Sequence, residues 1–129
     1  YDSMVYSITS PGFHALSMDD RQENCSMSFR TSAGHQIIMD DTNQRIYIAT
    51  APGNNWIEMD QDGNIDMFTT NKVNIRANKD INFTSDESIR MQAKKGIHMY
   101  SGDEIRMQAV ADSHVKTAAN LRMHADANV

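Results

Sequence analysis

Two pairs of adjacent carboxylates are the first residues in this sequence that could do chemistry. Asp19-Asp20 and Asp40-Asp41 could act as a general acid and base, or could hold a divalent cation. Acid–base catalysis needs two carboxylates that face each other across a cleft, whereas neighbours in an extended chain point to opposite faces. Aspartate is also common in turns, where its side chain bonds to nearby backbone N–H groups. We therefore interpret both pairs as turn residues.

Histidine, methionine and cysteine could bind a transition metal. His14 and His35 would need symmetry to gather three copies of one ring around an ion, so packing beside a turn is the favoured interpretation. His98 and His114 fall at positions expected to face solvent. The methionines fit a flexible core better than a conduit for soft metals, and Cys25 fits a small, partly buried apolar site. Because Ser-His-Asp order, a Cys-His pair and a Gly-rich phosphate loop are also absent, the sequence predicts no catalytic, metal-binding or cofactor-binding residue.

The charge distribution excludes several classes of protein. The chain has 129 residues and a net charge of −5. Residues 1–64 carry three basic and nine acidic side chains, and the remainder carries nine basic and eight acidic, so neither half has the basic block of a nucleic-acid binder. No apolar run approaches the roughly 18 residues of a membrane span, and no signal peptide is evident. The opening Tyr1-Asp2-Ser3-Met4 reads as the middle of a chain, so we expect an N-terminal portion before it.

An eight-residue pattern repeats from Ile65 to the end of the chain. The octads are IDMFTTNK, VNIRANKD, INFTSDES, IRMQAKKG, IHMYSGDE, IRMQAVAD, SHVKTAAN and LRMHADAN, and Val129 begins a ninth. Position one is Ile, Val or Leu except at Ser113, position three is always apolar, and position five is always small. Apolar residues at one and three with mostly polar residues at two and four follow the period of a β-strand. The last three positions have turn composition, so each octad predicts a short strand and a tight bend.

Three longer blocks precede the octads: YSITSPGFHALSMDD, FRTSAGHQIIMDD and YIATAPGNNWIEMDQDG. Each block predicts a strand, a glycine turn, a second strand and an Asp-rich turn. Residues 1–56 are thus expected to form these longer β repeats and residues 57–129 the octad region, with Trp56 packed at the transition. Alignment of the blocks on shared residues places Thr9 with Thr31 and Thr50, Gly12 with Gly34 and Gly53, and Met18 with Met39 and Met59.

The octads are best explained by three identical chains. A five-residue strand has two open edges, and both must be covered. In a chain coiled on itself the faces usually differ, which gives no reason for equal octads. If three chains wind about a common axis, each octad crosses one face and bends by a third of a turn, and strands of the other two chains lie above and below it. We therefore predict an all-β fold, an intertwined triple-stranded β-helix formed as a homotrimer, with a short meandering β part before it.

In this arrangement positions one and three point to the axis. Three copies of Ser113, the one polar inward position, could hold a water or a small anion. The predicted core-lining residues are Ile65, Met67, Val73, Ile75, Ile81, Phe83, Ile89, Met91, Ile97, Met99, Ile105, Met107, Val115, Leu121 and Met123.

Residues 32–70, SAGHQIIMDDTNQRIYIATAPGNNWIEMDQDGNIDMFTT, followed by the octads, resemble the C-terminal part of the central spike of contractile phage tails. They are equally similar to the VgrG spike of the type VI secretion system. In that family a Gly-His-x-Ile/Val-x-x-Asp-Asp segment leads into an intertwined triple-stranded β-helix. The matching residues here are Gly34, His35, Ile37, Asp40 and Asp41, and the resemblance covers roughly residues 12–129.

The resemblance implies a mechanical role as a cell-puncturing needle. In that family the trimer sits at the tip of the tail tube and is driven through the host outer membrane when the sheath contracts. The implied location is the virion baseplate or a type VI secretion apparatus. The implied partners are a hub or tail tube on the N-terminal side and a small PAAR-type tip protein at the C-terminal end.

The chain departs from the family at two points. Family members usually carry an oligonucleotide-binding-fold domain before the helix, and some add a lysozyme domain; neither occurs in this sequence, so no muralytic activity carries over. Some members end in a His-x-His pair that binds iron, but here His124 is followed by Asp126. No cofactor is therefore expected beyond water, an ion or lipid in the axial channel.

Two other functions stay open on the residues alone. The shaft of a trimeric receptor-binding tail fibre or adhesin would share the octads, but fibres usually end in a bulkier head, whereas these octads run to the last residue. A polysaccharide-degrading β-helix would need clustered carboxylates or aromatics on one face, and only Phe68 and Tyr100 fall at outward octad positions. The sequence favours a spike that is not an enzyme, with the fibre shaft as the alternative.

Overall fold

The computed structural model describes residues 4–127 and is all-β, which confirms the predicted fold class at that level. Within those residues no helix is long and apolar enough to cross a membrane. The strands are β1 (Val5–Thr9), β2 (Ala15–Asp19), β3 (Ser26–Arg30), β4 (Gln36–Asp40), β5 (Arg45–Ala49), β6 (Asn55–Met59) and β7 (Ile65–Thr69), and a short 3-10 helix spans Gln22–Asn24.

The seven strands form one antiparallel sheet in which each strand pairs with the next along the chain. Because side chains alternate between faces, the register gathers the large apolar residues into two rows on one face. The equivalence predicted for Met18, Met39 and Met59 is confirmed, since all three lie in the same row. The first row contains Tyr6, Met18, Met27, Met39, Ile46, Met59 and Ile65, and the second contains Ile8, Leu16, Phe29, Ile37, Ile48, Ile57 and Met67.

This apolar face is largely exposed in the described residues. Among the residues that the structure describes, Ala49 is the only buried apolar residue, whereas Ile8 and Ile65 in the two rows are each 67% exposed. Stable domains pack at least two layers against each other so that such faces are removed from water. The sheet within one chain therefore has an apolar face but no core.

An aromatic cluster lies on the opposite face of the sheet, where the octads begin. The Trp56 ring stacks on the Phe68 ring with centroids 5.5 Å apart, and its centroid is 6.5 Å from that of Tyr47. Phe68 belongs to the first octad, so Trp56 packs at the entry to the octads as expected. The Arg45 guanidinium lies 5.7 Å from the centre of the Tyr47 ring, at a distance that permits a cation–π contact.

The turns correct one detail of the repeat alignment. In the second block the Gly34 N–H donates to the Thr31 carbonyl, and in the first block the Phe13 N–H donates in the same way to Ser10. Ser10 and Phe13 therefore correspond to Thr31 and Gly34, and the alignment of Thr9 and Gly12 with them was wrong. The dipeptide Pro11-Gly12 suggested the turn glycine one residue too early. Positive φ angles occur at Phe13 (66°), Gly34 (102°) and Gly53 (75°).

Beyond β7 the described chain forms no further strand. It divides into two units between Ile81 and Asn82, and the second unit, described here to residue 127, has bends at regular intervals and no regular secondary structure. The sequence predicts a strand in every octad, but only the first octad supplies one, β7. The reason is physical: a strand requires a hydrogen-bonded neighbour, and β6 provides one for the first octad alone.

Replacing Phe13 by glycine should stabilise the folded chain. Phe13 is 77% exposed and holds a left-handed φ, a conformation that costs an L-residue about 1–2 kcal/mol and glycine very little. Phe13→Gly should raise the free energy of unfolding by about 1 kcal/mol in chemical denaturation, after the greater entropy of glycine in the unfolded chain is subtracted.

The matched control is Phe13→Ala, which removes the ring but retains the strain. If the alanine and glycine variants have equal stability, the backbone angle is not the cause of any gain.

Candidate functional site

The predicted histidines connect consecutive turns of the sheet. His14 Nδ1 accepts a hydrogen bond from the Ser32 backbone N–H at 3.1 Å, and His35 Nδ1 accepts one from the Ala51 N–H at 3.0 Å. A ring nitrogen that accepts a hydrogen bond carries no proton, so each ring here is the neutral tautomer protonated at Nε2. The structure thus gives each histidine a structural role: each ring connects one turn to the next turn at the same end of the strands.

The residues of the lead-in segment, Gly34 to Asp41, lie at separate places in the sheet. Gly34 is at the turn, where an added Cβ would lie 3.4 Å from the Ala51 Cβ and would be strained by the positive φ. Ile37 lies in the second apolar row. Asp40 and Asp41 lie at the other end of β4, so the segment forms no single pocket of polar groups.

The ionised Asp40 side chain holds the turn after β4. Its two carboxylate oxygens accept hydrogen bonds from the Asn43 N–H at 3.1 Å and from the Asn43 Nδ2 at 3.0 Å. Arg45 Nε lies 3.5 Å from Asp40 Oδ2, close enough for an ion pair but without hydrogen-bond geometry. These contacts, led by the Asn43 side chain, lower the pKa of Asp40.

Asp19 has the same role after β2. Its carboxylate is buried and accepts a 2.7 Å bond from Arg21 Nη2, together with bonds from the Arg21 backbone N–H and from Asn24 Nδ2. The pKa of Asp19 is lowered to about 2, and the hydrogen bond from the Arg21 side chain is the largest cause. The neighbouring Asp20 and Asp41 are exposed. Asp40 and Asp41 line an open concavity together with Asp60, but the Asp40 and Asp60 carboxylates are both engaged by N–H groups of their own turns.

Cys25 contacts Asp41, the second residue of the Asp40-Asp41 pair. Its Sγ lies 3.9 Å from Asp41 Oδ2, and its backbone carbonyl accepts the Asp41 N–H. Partial burial and then the Asp41 charge raise the pKa of the thiol. A thiol kept protonated is a poor nucleophile, so we assign Cys25 a structural role. Its contacts with Asp41 hold the loop before β3 against the end of β4.

The octads bend at one fixed pair of positions. Among residues 70–127 every bend falls at positions six and seven of an octad: 70–71, 78–79, 86–87, 94–95, 102–103, 110–111, 118–119 and 126–127. We call these position pairs the corners. The regularity agrees with the turn composition read from the sequence, and it leaves positions one to five free of any turn.

Position five has a hydrogen-bonding role that sequence reasoning missed. Where it is Ser or Thr, its hydroxyl oxygen accepts the backbone N–H of position seven at 3.2 Å, as in a Ser/Thr turn. Hydroxyl residues and alanine alternate strictly from octad to octad, which was a readable signal, but only the small size of the residue was used. The hydroxyl residues are Thr69, Ser85, Ser101 and Thr117, and the alanines are Ala77, Ala93, Ala109 and Ala125.

The predicted core-lining residues are all exposed in the single chain. Their exposed fractions range from 45% at Ile81 to 85% at Met107. No backbone–backbone hydrogen bond involves the described residues from 71 onward, and Ser113 is likewise exposed. Ile65 and Met67, at positions one and three of the first octad, lie on the same face of the sheet as the two apolar rows. The two residues of the first octad that were predicted to point inward are thus the last members of the two apolar rows.

Two further features complete the candidate surfaces. An open concavity of about 500 Å³ lies over the second apolar row, where Ile8, Leu16 and Phe29 line it together with His14 and His35. In the last octad, His124 Nε2 lies 2.8 Å from Asp126 Oδ1, and both side chains are exposed. Within residues 4–127 no group of three or more His, Cys, Asp or Glu side chains is arranged to hold a metal ion.

Neither a family model nor a curated protein sequence matches this chain.

Asp19 should make stability depend on pH in the acidic range. The folded pKa of about 2 lies below the ordinary value of 3.8, so ionised Asp19 stabilises the fold above pH 3.8 and this contribution is lost as the pH falls through 2. Denaturation midpoints measured from pH 6 to pH 2 should fall for the wild type and fall less for Asp19→Asn. Asp20→Asn, which removes the same charge from an exposed neighbour, should keep the wild-type profile. Equal profiles for the two variants would contradict the assignment.

The position-five hydroxyl should stabilise the corner that follows it. Ser101→Ala removes the acceptor of the Asp103 N–H and should lower the free energy of unfolding by about 0.5–1 kcal/mol per chain. Ala93→Ser makes the reverse change in the preceding octad and should not destabilise. If both substitutions have the same effect on denaturation, the hydroxyl does not act through this hydrogen bond.

Proposed function

We propose that this chain is one of three identical chains in an intertwined β-helical spike that pierces a cell envelope mechanically. The observation that carries the proposal is the octad backbone, which bends every eight residues, has no backbone ladder partner from residue 71 to residue 127, and leaves every described inward side chain exposed. A chain of this kind requires neighbours on both edges and on one face.

The hydrogen-bonding requirement favours identical neighbours. Five extended residues per octad carry unpaired N–H and C=O groups, and strand edges of this kind pair readily with another chain. Every octad has the same length and bends at the same two positions. A second and a third copy can therefore supply matching strands above and below each octad. At roughly 4.7–4.9 Å per strand, the octads would build a shaft of about 40 Å.

The apolar surface supports the same arrangement. The two rows of the sheet and the inward octad positions, Ile65 and Met67 included, form a continuous apolar series within the first unit. Burial of apolar area stabilises by about 25 cal/mol per Å², so three copies that turn these faces toward one axis remove from water what one chain leaves exposed. The axial channel would then be narrow and rich in methionine.

The chemistry of the surface favours a mechanical role over catalysis. The carboxylates of Asp19 and Asp40 are engaged by their own turns, and His14 and His35 are engaged by backbone N–H groups. A stiff trimeric shaft suits penetration of an outer membrane. By resemblance, the site of action is the tip of a contractile phage tail or of a type VI secretion apparatus. A hub would lie on the N-terminal side and a PAAR-type protein on the tip.

The trimer is tested by a matched pair of neighbouring substitutions. Met99 is an inward position and Tyr100 an outward one, yet both are exposed in the single chain. Light scattering should give a mass of three times 14.6 kDa for the wild type and for Tyr100→Glu. Met99→Glu would place three carboxylates at the axis and should give monomers or aggregates. If both variants and the wild type have the mass of one chain, the trimer is excluded.

The piercing role is tested in particles that carry the chain. Particles with Met99→Glu should attach to cells as before but fail to deliver their contents, because the spike would lack a shaft. Loss of attachment together with binding of the isolated wild-type trimer to cell-surface glycans would instead assign the chain to a receptor-binding fibre. Glycan or peptidoglycan cleavage by the isolated trimer would overturn the mechanical assignment.

A further inference from the structure

The octads pose a problem of register if several copies wind together. Positions one and three are nearly the same from octad to octad, with Ile at position one in four successive octads and Met at position three in four of the last five. If one copy slipped by one octad against another, it would bury almost the same core. Registers are weakly specified where the apolar pattern does not distinguish them, so another part of the octad must do so.

The corners alternate in charge where the core does not vary. The corner of the third octad is Asp86-Glu87, that of the fourth is Lys94-Lys95, and that of the fifth contains Asp103, with Glu104 next to it. The corner residues lie at bends, and they and Glu104 are exposed. None of the charges at these three corners forms an ion pair within the described chain, whereas Glu104 contacts Arg106 at 2.9 Å.

Two other positions alternate with the same double period of sixteen residues. Position five alternates between Ser or Thr and Ala, and the hydroxyls bond to the corner N–H in alternate octads only. Position two is Arg in the fourth, sixth and eighth octads (Arg90, Arg106, Arg122) and Asn or His in the octads between them (Asn82, His98, His114). All three alternations distinguish an octad from the next one along the chain.

We propose that the charged corners fix the register between copies of this chain, with Lys94-Lys95 of one copy stacked between Asp86-Glu87 of a second and Gly102-Asp103 of the third. The inference rests on the three-chain arrangement proposed above. When each octad crosses one face and the next octad advances by one strand spacing, the strand above any octad is the following octad of a neighbouring copy. Successive corners therefore stack along one edge of the shaft, roughly 4.7–4.9 Å apart.

The order of the charges distinguishes this arrangement from the alternatives. A slip of one octad would stack Lys94-Lys95 on its own equivalent in the next copy, and the acidic corners on theirs. A single chain that made three octads per turn would stack each corner on the corner three octads away. Lys94-Lys95 would then meet Ala118-Ala119, and Asp86-Glu87 would meet Val110-Ala111. The sequence pairs opposite charges only when neighbouring octads of different copies are stacked.

The corners should act on specificity more than on total stability. Exposed ion pairs stabilise a fold only slightly, whereas like charges placed together disfavour the wrong pairing. Each trimer repeats the pattern along three edges, so a slipped register would be disfavoured on every edge. Salt should weaken the discrimination, since the Debye length falls to about 3 Å at 1 M.

Cysteine cross-linking reads the register directly. All variants carry Cys25→Ser so that the native thiol does not interfere. Glu87→Cys/Lys95→Cys places a thiol at position seven of two successive octads. In the proposed register these thiols face each other between copies at a separation that permits a disulfide. Oxidation should therefore give covalent trimers on a denaturing gel, whereas Lys95→Cys alone should remain uncross-linked.

Each outcome decides between the proposals. Covalent trimers from the double variant and none from the single variant support the register. Covalent dimers from Lys95→Cys alone, in a protein with the mass of three chains, would overturn the register and leave the trimer intact. No cross-link from either variant at that mass also overturns the register. A mass of one chain would overturn the three-chain proposal as well.

Charge reversal tests whether the corner charges cause the register. Lys94→Glu/Lys95→Glu should lower the recovery of correctly cross-linked trimer after refolding by about tenfold at low salt, with partial recovery at high salt. The control Arg90→Glu/Lys116→Glu makes the same change in net charge at face positions whose stacked neighbours are uncharged polar residues or histidine, and should refold like the wild type. Reversal of the acidic corners together with the basic one should restore recovery. Equal loss in control and test variants would show that net charge alone matters.

Discussion

The rest of this molecule depends on one constraint, namely that an extended strand must have hydrogen-bonded neighbours on its edges. Strands β2 to β6 meet the constraint on both edges within the chain, and β1 and β7 each meet it on one edge, because the turns between the strands return the backbone beside the preceding strand. The octads after β7 do not return. Their bends come in pairs every eight residues without reversing the chain onto its own previous strand, so the backbone ladder stops at Thr70. The same polypeptide thus changes from a sheet that pairs with itself to a segment that, in its described residues from 71 onward, forms no backbone–backbone hydrogen bond.

Side-chain acceptors close the turns in both regions. Asp19 and Asp40 accept N–H groups in the Asp-rich turns, the Asp60 carboxylate accepts the N–H groups of Asp62 and Asn64 in the turn before β7, and Ser or Thr at position five accepts the corner N–H in alternate octads. In each case a short polar side chain accepts the N–H hydrogen bond in place of a backbone carbonyl, which the turn places out of reach. This local closure explains why turns can recur at such short intervals without a packed core beneath them.

Much of the fold could be predicted from the residue pattern and composition of the sequence. The features that could not be predicted were missed for physical reasons. The strand pairs around the turns at Gly34 and Gly53, and the shared row of Met18, Met39 and Met59, follow from period-two alternation and turn chemistry, which are local properties of the sequence. The exact position of the first turn could not be found in this way, because Phe13 at a positive φ violates the rule that placed the other two turns. The hydrogen bonds from backbone N–H groups to His14 and His35 were also missed, since they join residues 16 or 18 positions apart. A contact of that range depends on register, which only the assembled sheet fixes.

The octad positions that stay nearly constant along the chain are not the positions that distinguish one octad from the next. This separation has a physical basis. Positions one and three face a crowded axis in the proposed trimer, where each layer must accept the same volume from three chains, so variation there is restricted to similar apolar side chains. The corners face solvent, where charge can vary without a packing cost. An array whose core is uniform gains an equivalent fit at every layer but cannot by its core alone distinguish one layer from the next. In the proposed trimer the corner charges supply that distinction at positions where variation does not disturb the core.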